Sequence, residues 1–530
     1  MLANRLREYT GTIGTGELVL TGAVPGHARF QAAYETGQPV RYMVLDGAGN
    51  HEVGVGRLTA PDRIGRDRVI ETFQAGVFHR DGVPLSLDGS GEVMVAATAD
   101  LIDGKAEADP ETLLGPLTVR LPFAAMDGVR APAPGLSGGV PAGLAVTRPT
   151  SATRLTAAGR LLSAPADTLR LDFAPQRAAP GALFEPRRTN LLLHSADLAA
   201  ADWTRINTTV TADATTAPDG TMTADKLVED TSDASHDVRQ AMSASAGDAI
   251  TISGWFKAAG RRFAFISMAG AVLTASQRTF FDLEAGVVSS QTGNVTSATI
   301  TGHPGGWYRC TMTVTIDNTG SGSAIYGMDV NGSGGTAYQG DGASGLYFWG
   351  AQLEEGALAT SHIPTDTAQV THEGDLAVIG GDDFAAQINP HEGTVYIEFD
   401  DTDAGLSGNL FHVDGGESSN RFWLAFVSDT TVRLTWTRDG TPEASLNFTR
   451  TRGRTRIAFS YGADRLALVK DGQAAVVETA FTPFPAPTQM GIGGQNLTGE
   501  GQPGTTIAAF LYAPRAVDDA TLQTLTGGDF

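Results

Sequence analysis

The six tryptophans of this 530-residue chain are its residues with the most recognisable binding chemistry. A sugar ring has a flat C–H surface, which stacks on an indole face that is open to solvent. Trp423 and Trp436 lie on neighbouring predicted strands and would share one exposed face. Arg421 begins the strand that contains Trp423, and Trp203 lies near a predicted turn. The sequence therefore offers Trp203, Arg421, Trp423 and Trp436 as candidate carbohydrate-binding residues, although a core is the commoner place for tryptophan.

An acidic loop supplies a candidate metal site. Asp401 and Asp403 lie in the run Asp400-Asp401-Thr402-Asp403-Ala404-Gly405. Calcium takes about six to eight oxygen ligands, and loops at the edges of β-sandwiches often supply some of them. The sequence thus allows a structural calcium at Asp401 and Asp403, with a solvated acidic turn as the alternative, and it predicts no other cofactor.

The sequence matches to catalytic motifs lack the flanking elements or the residue spacing that catalysis requires. Gly135–Gly139 spells G-x-S-x-G, but proline flanks it where a nucleophile elbow requires a strand and a helix. The 10 histidines form no H-E-x-x-H pattern. With 59 acidic residues, a glycosidase carboxylate pair is neither singled out nor excluded. We therefore predict that the protein is not an enzyme.

The net charge and the cysteine content exclude several classes of partner and cofactor. The formal net charge of −22 repels phosphate backbones, so nucleic acid is not an expected partner. Cys310 is the single cysteine, so neither an intramolecular disulfide nor a cysteine metal cluster can form. No signal-peptide core and no run of 18 apolar residues is found. We expect synthesis in the cytoplasm without a signal peptide, and no membrane insertion.

Short alternating runs separated by Gly, Asp and Asn predict an all-β protein. Asp439-Gly440 and Asp471-Gly472 predict tight turns, and Ala158-Gly159 predicts a hairpin. Ala516–Leu525 is the one segment with a helical pattern. Trp255, Trp307 and Trp349 sit inside hydrophobic strands and are predicted to be core.

Composition divides the chain into four predicted segments. A small N-terminal β domain (1–103) precedes a Pro/Gly-rich linker and β connector (104–188), and two β-sandwiches follow (189–370 and 376–530). No short-period β-helix repeat is present. The predicted architecture is a modular fibre.

Several motifs carry a family resemblance. Glu185–Ser195 with Asp202-Trp203 is similar to the "ARTNLL-S…W" opening of jelly-roll domains in phage structural proteins, and Gly350–Gly356 and Ser361–Thr365 continue the pattern of these domains. Thr147–Arg154 resembles the segment that precedes such domains, which are similar to carbohydrate-binding modules. With Gly14–Gly16 before a strand and Glu52–Gly56 after it, the N-terminal domain resembles an attachment module of tail-fibre-like proteins. With Phe510–Ala516 and Leu522–Leu525 at its end, the C-terminal domain resembles concanavalin A-type or laminin G-like lectin sandwiches.

This resemblance implies a fibre or head spike on the virion surface of a phage or gene transfer agent. It would act as a receptor-binding protein that adheres to host capsule or lipopolysaccharide. Its N-terminal domain would contact a particle protein, and the chain would form a homotrimer. A polysaccharide depolymerase tailspike and a ligand-free structural decoration protein are the alternatives, and a secreted adhesin is disfavoured by the lack of an export signal.

Overall fold

The computed structural model describes most of the chain as two compact units, the first ending at Val95 and the second running from Leu113 to Gly527. Among the described residues, no helix has the length and apolar character to span a membrane. The structure describes all residues except 1–5, 25–26, 33, 47–49, 75–76, 81–83, 96–112, 115–118, 122–135, 138–139, 142, 157, 174–180, 334, 402–405, 480–486, 495–500 and 528–530.

Antiparallel strands form the first unit. Its main sheet has the order β3-β1-β9-β4-β5-β6-β7, and an additional β3–β6 pairing closes the sheet on itself. The enclosed core contains buried Glu52, which lies 3.1 Å from Arg66 and accepts a 2.8 Å hydrogen bond from Tyr42. The strands are β1 (Arg7–Thr10), β2 (Ile13–Gly14), β3 (Leu18–Ala23), β4 (Pro39–Leu45), β5 (His51–Ala60), β6 (Arg63–Gln74), β7 (Val77–Arg80), β8 (Leu87–Asp88) and β9 (Gly91–Val95).

In the described part of the chain between Leu113 and Phe184, eight short strands precede the first sandwich in sequence. Among them, β14 and β15 form the hairpin predicted at Ala158-Gly159, where Gly159 has a φ of 68°. The strands are β10 (Val119–Leu121), β11 (Leu136–Ser137), β12 (Val140–Pro141), β13 (Leu144–Thr147), β14 (Ala152–Leu155), β15 (Leu161–Ala164), β16 (Leu171–Asp172) and β17 (Gly181–Phe184).

Two six-stranded sheets, β19-β23-β30-β25-β26-β27 and β20-β21-β32-β24-β29-β28, form the first sandwich. Cys310 is buried in its core. Its strands are β18 (Arg188–Asn190), β19 (Thr204–Ile206), β20 (Thr208–Thr215), β21 (Ala224–Glu229), β22 (Asp233–Ala234), β23 (His236–Ala244), β24 (Ala249–Ala259), β25 (Phe263–Gly270), β26 (Gln277–Asp282), β27 (Val287–Thr292), β28 (Val295–His303), β29 (Trp307–Thr315), β30 (Gly320–Asp329), β31 (Tyr338–Gln339), β32 (Gly345–Glu355) and β33 (Val370–His372).

The second sandwich contains the remaining strands of the described residues and two α-helices. Leu522 and Leu525 are buried on the predicted C-terminal helix, α2. The elements are β34 (Leu376–Gly380), α1 (Gly381–Gln387), β35 (Gly393–Asp401), β36 (Gly408–Asp414), β37 (Arg421–Ser428), β38 (Thr431–Arg438), β39 (Thr441–Thr449), β40 (Gly453–Gly462), β41 (Arg465–Lys470), β42 (Val476–Glu478), β43 (Gln489–Ile492), β44 (Thr505–Ala513) and α2 (Asp519–Gly527).

The predicted connector also belongs to this second sandwich. β13 pairs with β34, whereas β10 and β17 pair with β44, so connector strands extend both sheets. The prediction that 104–188 is a linker and connector separate from the sandwiches is wrong for these strands, because they pair with strands that follow the first sandwich in sequence. The first sandwich is therefore an insertion within the second.

Local turn chemistry explains the hairpins of the second sandwich. Asp439 and Gly440 have φ angles of 47° and 79° between β38 and β39, and Asp471 and Gly472 have 46° and 70° after β41. Both residues of a type I′ turn need positive φ, which Asp tolerates and Gly adopts freely. Helix α1 was not predicted, and its Asp382 and Asp383 occupy the first turn, where negative charge is favourable.

Phe184→Ala will destabilise the second sandwich although the residue precedes the first one. Phe184 is buried in the second core, and loss of such a ring costs about 3–5 kcal/mol. Hydrogen exchange of the 505–513 peptide will therefore accelerate, whereas Leu162→Ala at an exposed position will leave it unchanged. Unchanged exchange in Phe184→Ala would show that β17 is not part of this sandwich.

Candidate functional site

The outer surface of the sheet β13-β34-β43-β36-β37-β38-β39 carries a polar and aromatic patch. The register aligns Trp423 with His412 and Thr435, and Arg421 with Asp414. Arg421 and Trp423 are both partly exposed, with the guanidinium carbon 4.6 Å from the indole centroid. We call this patch the platform face, which consists of the partly exposed Arg421, Trp423 and Gln489 and the buried His412, Asp414 and Thr435 beside them.

Several polar atoms on the platform face lack partners. Trp423 Nε1, Arg421 Nε and Thr435 Oγ1 are shielded from solvent and make no hydrogen bond with any described residue. Each such atom costs about 1–3 kcal/mol when it remains unpaired. By contrast, Asp414 Oδ1 accepts hydrogen bonds of 2.8 Å from both Gln489 Nε2 and Gly416 N. The face thus combines an aromatic ring with carboxylate, amide and guanidinium groups, and its Trp423 Nε1, Arg421 Nε and Thr435 Oγ1 have no hydrogen-bond partner among the described residues.

Trp436 and Trp203 are not surface residues, which corrects the prediction for both. Trp436 pairs with Phe422 rather than with Trp423, so it points into the second core. Side chains alternate between the two faces of a sheet, and a shift of one residue in register exchanges them. Trp203 is 2% exposed, packs in the first core and donates from Nε1 to the carbonyl of His194.

Asp401 is paired with arginine. Arg450 donates to both of its carboxylate oxygens at 2.9 and 2.6 Å, and Arg452 donates to Oδ1 at 2.9 Å. Two guanidinium groups leave a calcium ion no favourable place at this carboxylate. The calcium prediction therefore loses Asp401 as a ligand, and its other residue, Asp403, lies outside the described residues.

A buried ion-pair network joins the connector to both sandwiches. Arg148 donates to Asp375 at 2.8 Å, and Arg170 binds both Glu185, at 2.7 Å, and Asp375. Glu185 also accepts hydrogen bonds of 2.6 Å from the amide and the hydroxyl of Ser361. We call Arg148, Arg170, Glu185 and Asp375 the junction network.

Glu185, His372 and Asp375 are metal-ligating types that lie close together. The charge around them is nevertheless balanced by arginine. Burial raises the pKa of Glu185, but the charges of Arg170 and His372 and the hydrogen bonds from Ser361 and Arg170 together outweigh this and lower it to about 2. Burial, with the same positive neighbour, lowers the pKa of His372 to about 4. The cluster is therefore an ion-pair network and its arginines oppose a bound cation.

A cleft of about 870 Å³ lies between the two sandwiches beside this network. Strands β28 and β29 form one wall with hydroxyl side chains, among them Thr299 and Thr311, whose Oγ1 atoms are 2.7 Å apart. The opposite wall contains Arg452, Arg454 and the start of β44. We call this space the junction cleft; of its lining residues, only Asp401 was predicted as a site residue.

Aromatic rings support the cleft from one side. Trp255 lies 5.4 Å from both Trp349 and His362, and Arg309 stacks 4.6 Å above Trp255. Burial, together with the Arg309 charge, lowers the pKa of His362 to about 3 and that of His303 to about 4. These imidazoles are therefore neutral at ordinary pH. The buried positions of Trp255, Trp307 and Trp349 confirm the prediction that they are core residues.

The residues of the junction could be found only in part from sequence. Arg148 and Arg154 lie in the Thr147–Arg154 segment, and Glu185 begins the jelly-roll opening motif. Within that motif, Asn190 is buried and donates to the carbonyls of Ala351 and Ile363 at 3.0 and 2.9 Å. The motifs thus mark packing residues that bring the ends of the first sandwich together. Arg452 and Arg454 carry no sequence signal.

The chain resembles parts of several solved structures, whereas no protein-family model and no curated protein matches it. The CBM40 of the Ruminococcus gnavus IT-sialidase bound to alpha2,3 sialyllactose has 18% identity and a TM-score of 0.25, covering 27% of this chain and 87% of that chain. A leech intramolecular trans-sialidase complexed with 2,7-anhydro-Neu5Ac has 15% identity and a TM-score of 0.25, covering 28% of this chain and 25% of that chain. The binding domain of botulinum neurotoxin DC in complex with rat synaptotagmin II has 9% identity and a TM-score of 0.23, covering 29% of this chain and 40% of that chain.

Asp375→Asn will destabilise the second unit. The change leaves Arg148 and Arg170 buried with one carboxylate, that of Glu185, and breaking a buried pair in this way costs about 3–5 kcal/mol. Denaturant unfolding will measure the loss, and Asp366→Asn at an exposed position is the control. Equal stabilities of the two variants would contradict the structural role of the network.

Acid will destabilise the wild-type second unit in part through His362. An unfolded imidazole takes up a proton near pH 6.5, whereas buried His362 stays neutral down to about pH 3. The unfolded state therefore binds more protons between these values, and stability falls as the pH falls. Asp172 and Asp225 act in the opposite direction, since burial raises the pKa of each to about 6.

His362→Phe isolates this contribution, because phenylalanine preserves a ring beside Trp255 and Trp349. Its melting temperature will depend less steeply on pH between 4 and 6.5 than that of the wild type. Parallel curves for the two proteins would show that the buried imidazole does not resist protonation.

Proposed function

We propose that this protein is a non-enzymatic adhesin of a phage-like particle that binds host surface polysaccharide through its platform face. The observation that carries the proposal is the partly exposed Arg421–Trp423 pair on the outer surface of the second sandwich. Its aromatic ring, guanidinium and carboxylate are the groups that recognise the C–H surfaces and hydroxyls of a sugar.

The unsatisfied atoms of the platform face support binding of a hydroxylated ligand. Trp423 Nε1 and Arg421 Nε are donors, and Thr435 Oγ1 both donates and accepts. A sugar hydroxyl has the same dual capacity. Small movements of these side chains would exchange unpaired atoms for hydrogen bonds to the ligand, so binding removes an existing cost.

The assignment to a particle is supported by sequence resemblance. The Glu185–Ser195 opening is similar to that of jelly-roll domains in phage structural proteins, and the first unit resembles an attachment module. We propose that the first unit contacts a particle protein and that three chains assemble. A homotrimer would join several weak sugar sites and raise avidity by a factor of about 10²–10⁴.

The rival depolymerase function is disfavoured by the state of the carboxylates in the junction cleft. Glu185 and Asp401 are both held by buried arginines, Arg170 and Arg450, and Asp400 accepts a 3.1 Å hydrogen bond from the Thr506 hydroxyl. Burial raises the pKa of Asp172 to about 6, which suits a general acid, but a glycosidase needs a second carboxylate free to act as base or nucleophile. A decoration protein without a ligand would have no need of the platform face.

Binding to purified host capsule and lipopolysaccharide, with the polymer sized afterwards, tests this function. We expect the full chain to bind with the polymer length unchanged. Trp423→Ala will weaken binding by about tenfold through loss of stacking, and Trp423→Phe will retain part of it.

Val427→Ala, at an exposed position at the end of the same strand, is the control and will bind like the wild type. If the polymer is shorter after incubation, the protein is a depolymerase and the non-enzymatic adhesin function is wrong. Absence of binding by the intact protein would favour a decoration role.

A further inference from the structure

We propose that the junction cleft is a second saccharide site, which binds an anionic, carboxylate-bearing stretch of polysaccharide through Arg154, Arg309, Arg452 and Arg454. This inference rests on the proposed adhesin function and adds both a second site and a chemical class of ligand. The cleft volume of about 870 Å³ falls within the range of about 300–1,000 Å³ that is common for ligand pockets.

Charge is unevenly distributed in the cleft. Its four lining arginines are all partly exposed or exposed, and the side chains of Arg452 and Arg454 are 46% and 39% exposed. The four carboxylates that line it are all buried, namely those of Asp172, Glu185, Asp400 and Asp401. A ligand in the cleft therefore meets guanidinium groups first, in a chain whose net charge is −22.

The buried carboxylates hold the arginines in position and do not remove the positive charge that the arginines present to the cleft. Arg452 bonds to Asp401, which is already neutralised by Arg450 behind it. Arg309 is held over Trp255 and donates to the carbonyl of Thr360 at 2.5 Å. Arginines held in this way lose little freedom on binding, and their planar forks match the two oxygens of a carboxylate.

The facing wall supplies neutral groups. Ser297, Thr299, Thr301 and Thr311 present hydroxyls from adjacent strands. Hydroxyls opposite guanidinium groups suit a ligand that alternates hydroxyl-rich and charged parts, as a polymer of uronic acid and neutral sugars does. Nucleic acid fits this wall less well, because it offers no comparable run of hydroxyls and is repelled by the acidic surface.

Titration calorimetry of the full chain with defined fragments tests the proposal. The probes are an oligosaccharide of alternating hexuronate and neutral hexose, its carboxyl-reduced form of the same length, a sulfated neutral oligosaccharide and a single-stranded DNA oligomer. The double variant Arg452→Gln/Arg454→Gln will bind the hexuronate oligomer at least about tenfold more weakly, since each lost charge-assisted bond is strong.

The double variant is expected to fold. Asp401 keeps Arg450, and Glu398 keeps Arg456 at 3.6 Å. Arg187→Gln/Arg205→Gln, at exposed positions away from the cleft, removes the same charge and will leave binding unchanged. Thr301→Trp fills the cleft without a change of charge and will also weaken binding.

The outcomes separate the two proposals. Binding of the hexuronate oligomer that is lost in Trp423→Ala but retained in the double variant would overturn the cleft site and preserve the adhesin. The carboxylate assignment would be overturned if only the carboxyl-reduced oligomer bound. It would also be overturned if the sulfated oligosaccharide and the DNA oligomer bound as tightly as the hexuronate oligomer. If the full chain binds neither saccharide probe nor host polysaccharide, the adhesin function itself fails.

Discussion

The arrangement of the second unit depends on one buried carboxylate. Asp375 lies directly before β34. Its carboxylate forms ion pairs with Arg148 and Arg170 of the connector and accepts a hydrogen bond from the amide of Glu185. Separate removal of these charges from water would be costly, so each is acceptable only while the others are in place. The network therefore links the connector, the start of the first sandwich and the second sandwich into one arrangement.

This constraint also defines the junction cleft. Glu185 holds Ser361, and the next residue, His362, packs against Trp255 and Trp349. The cleft walls thus belong to two sandwiches but share a boundary fixed by hydrogen bonds to charged groups, which are stronger and more directional than apolar contacts. An inserted domain held at one such junction can keep its own core while presenting a defined surface to its host domain.

Local sequence predicted the elements well, because each strand and turn is decided by nearby residues. Asp439-Gly440 gives a tight turn wherever it occurs between strands, and Leu522 and Leu525 identify the buried side of α2. Pairing between distant segments could not be predicted. β17 is only four residues long, and its partner β44 begins at Thr505, so no local pattern distinguishes it from a linker.

The candidate site shows the same limit at the level of single residues. Trp423 and Trp436 occupy similar alternating strands, yet one faces outward and the other lies in the core. Alternation reveals that the two faces of a strand differ, but the side that meets the second sheet depends on register across β37 and β38. Trp436 therefore lies in the core, because the register pairs it with Phe422 and not with Trp423. The arginines of the junction cleft give no periodic signal, and they acquire a shared role only when the insertion brings β29 opposite β40.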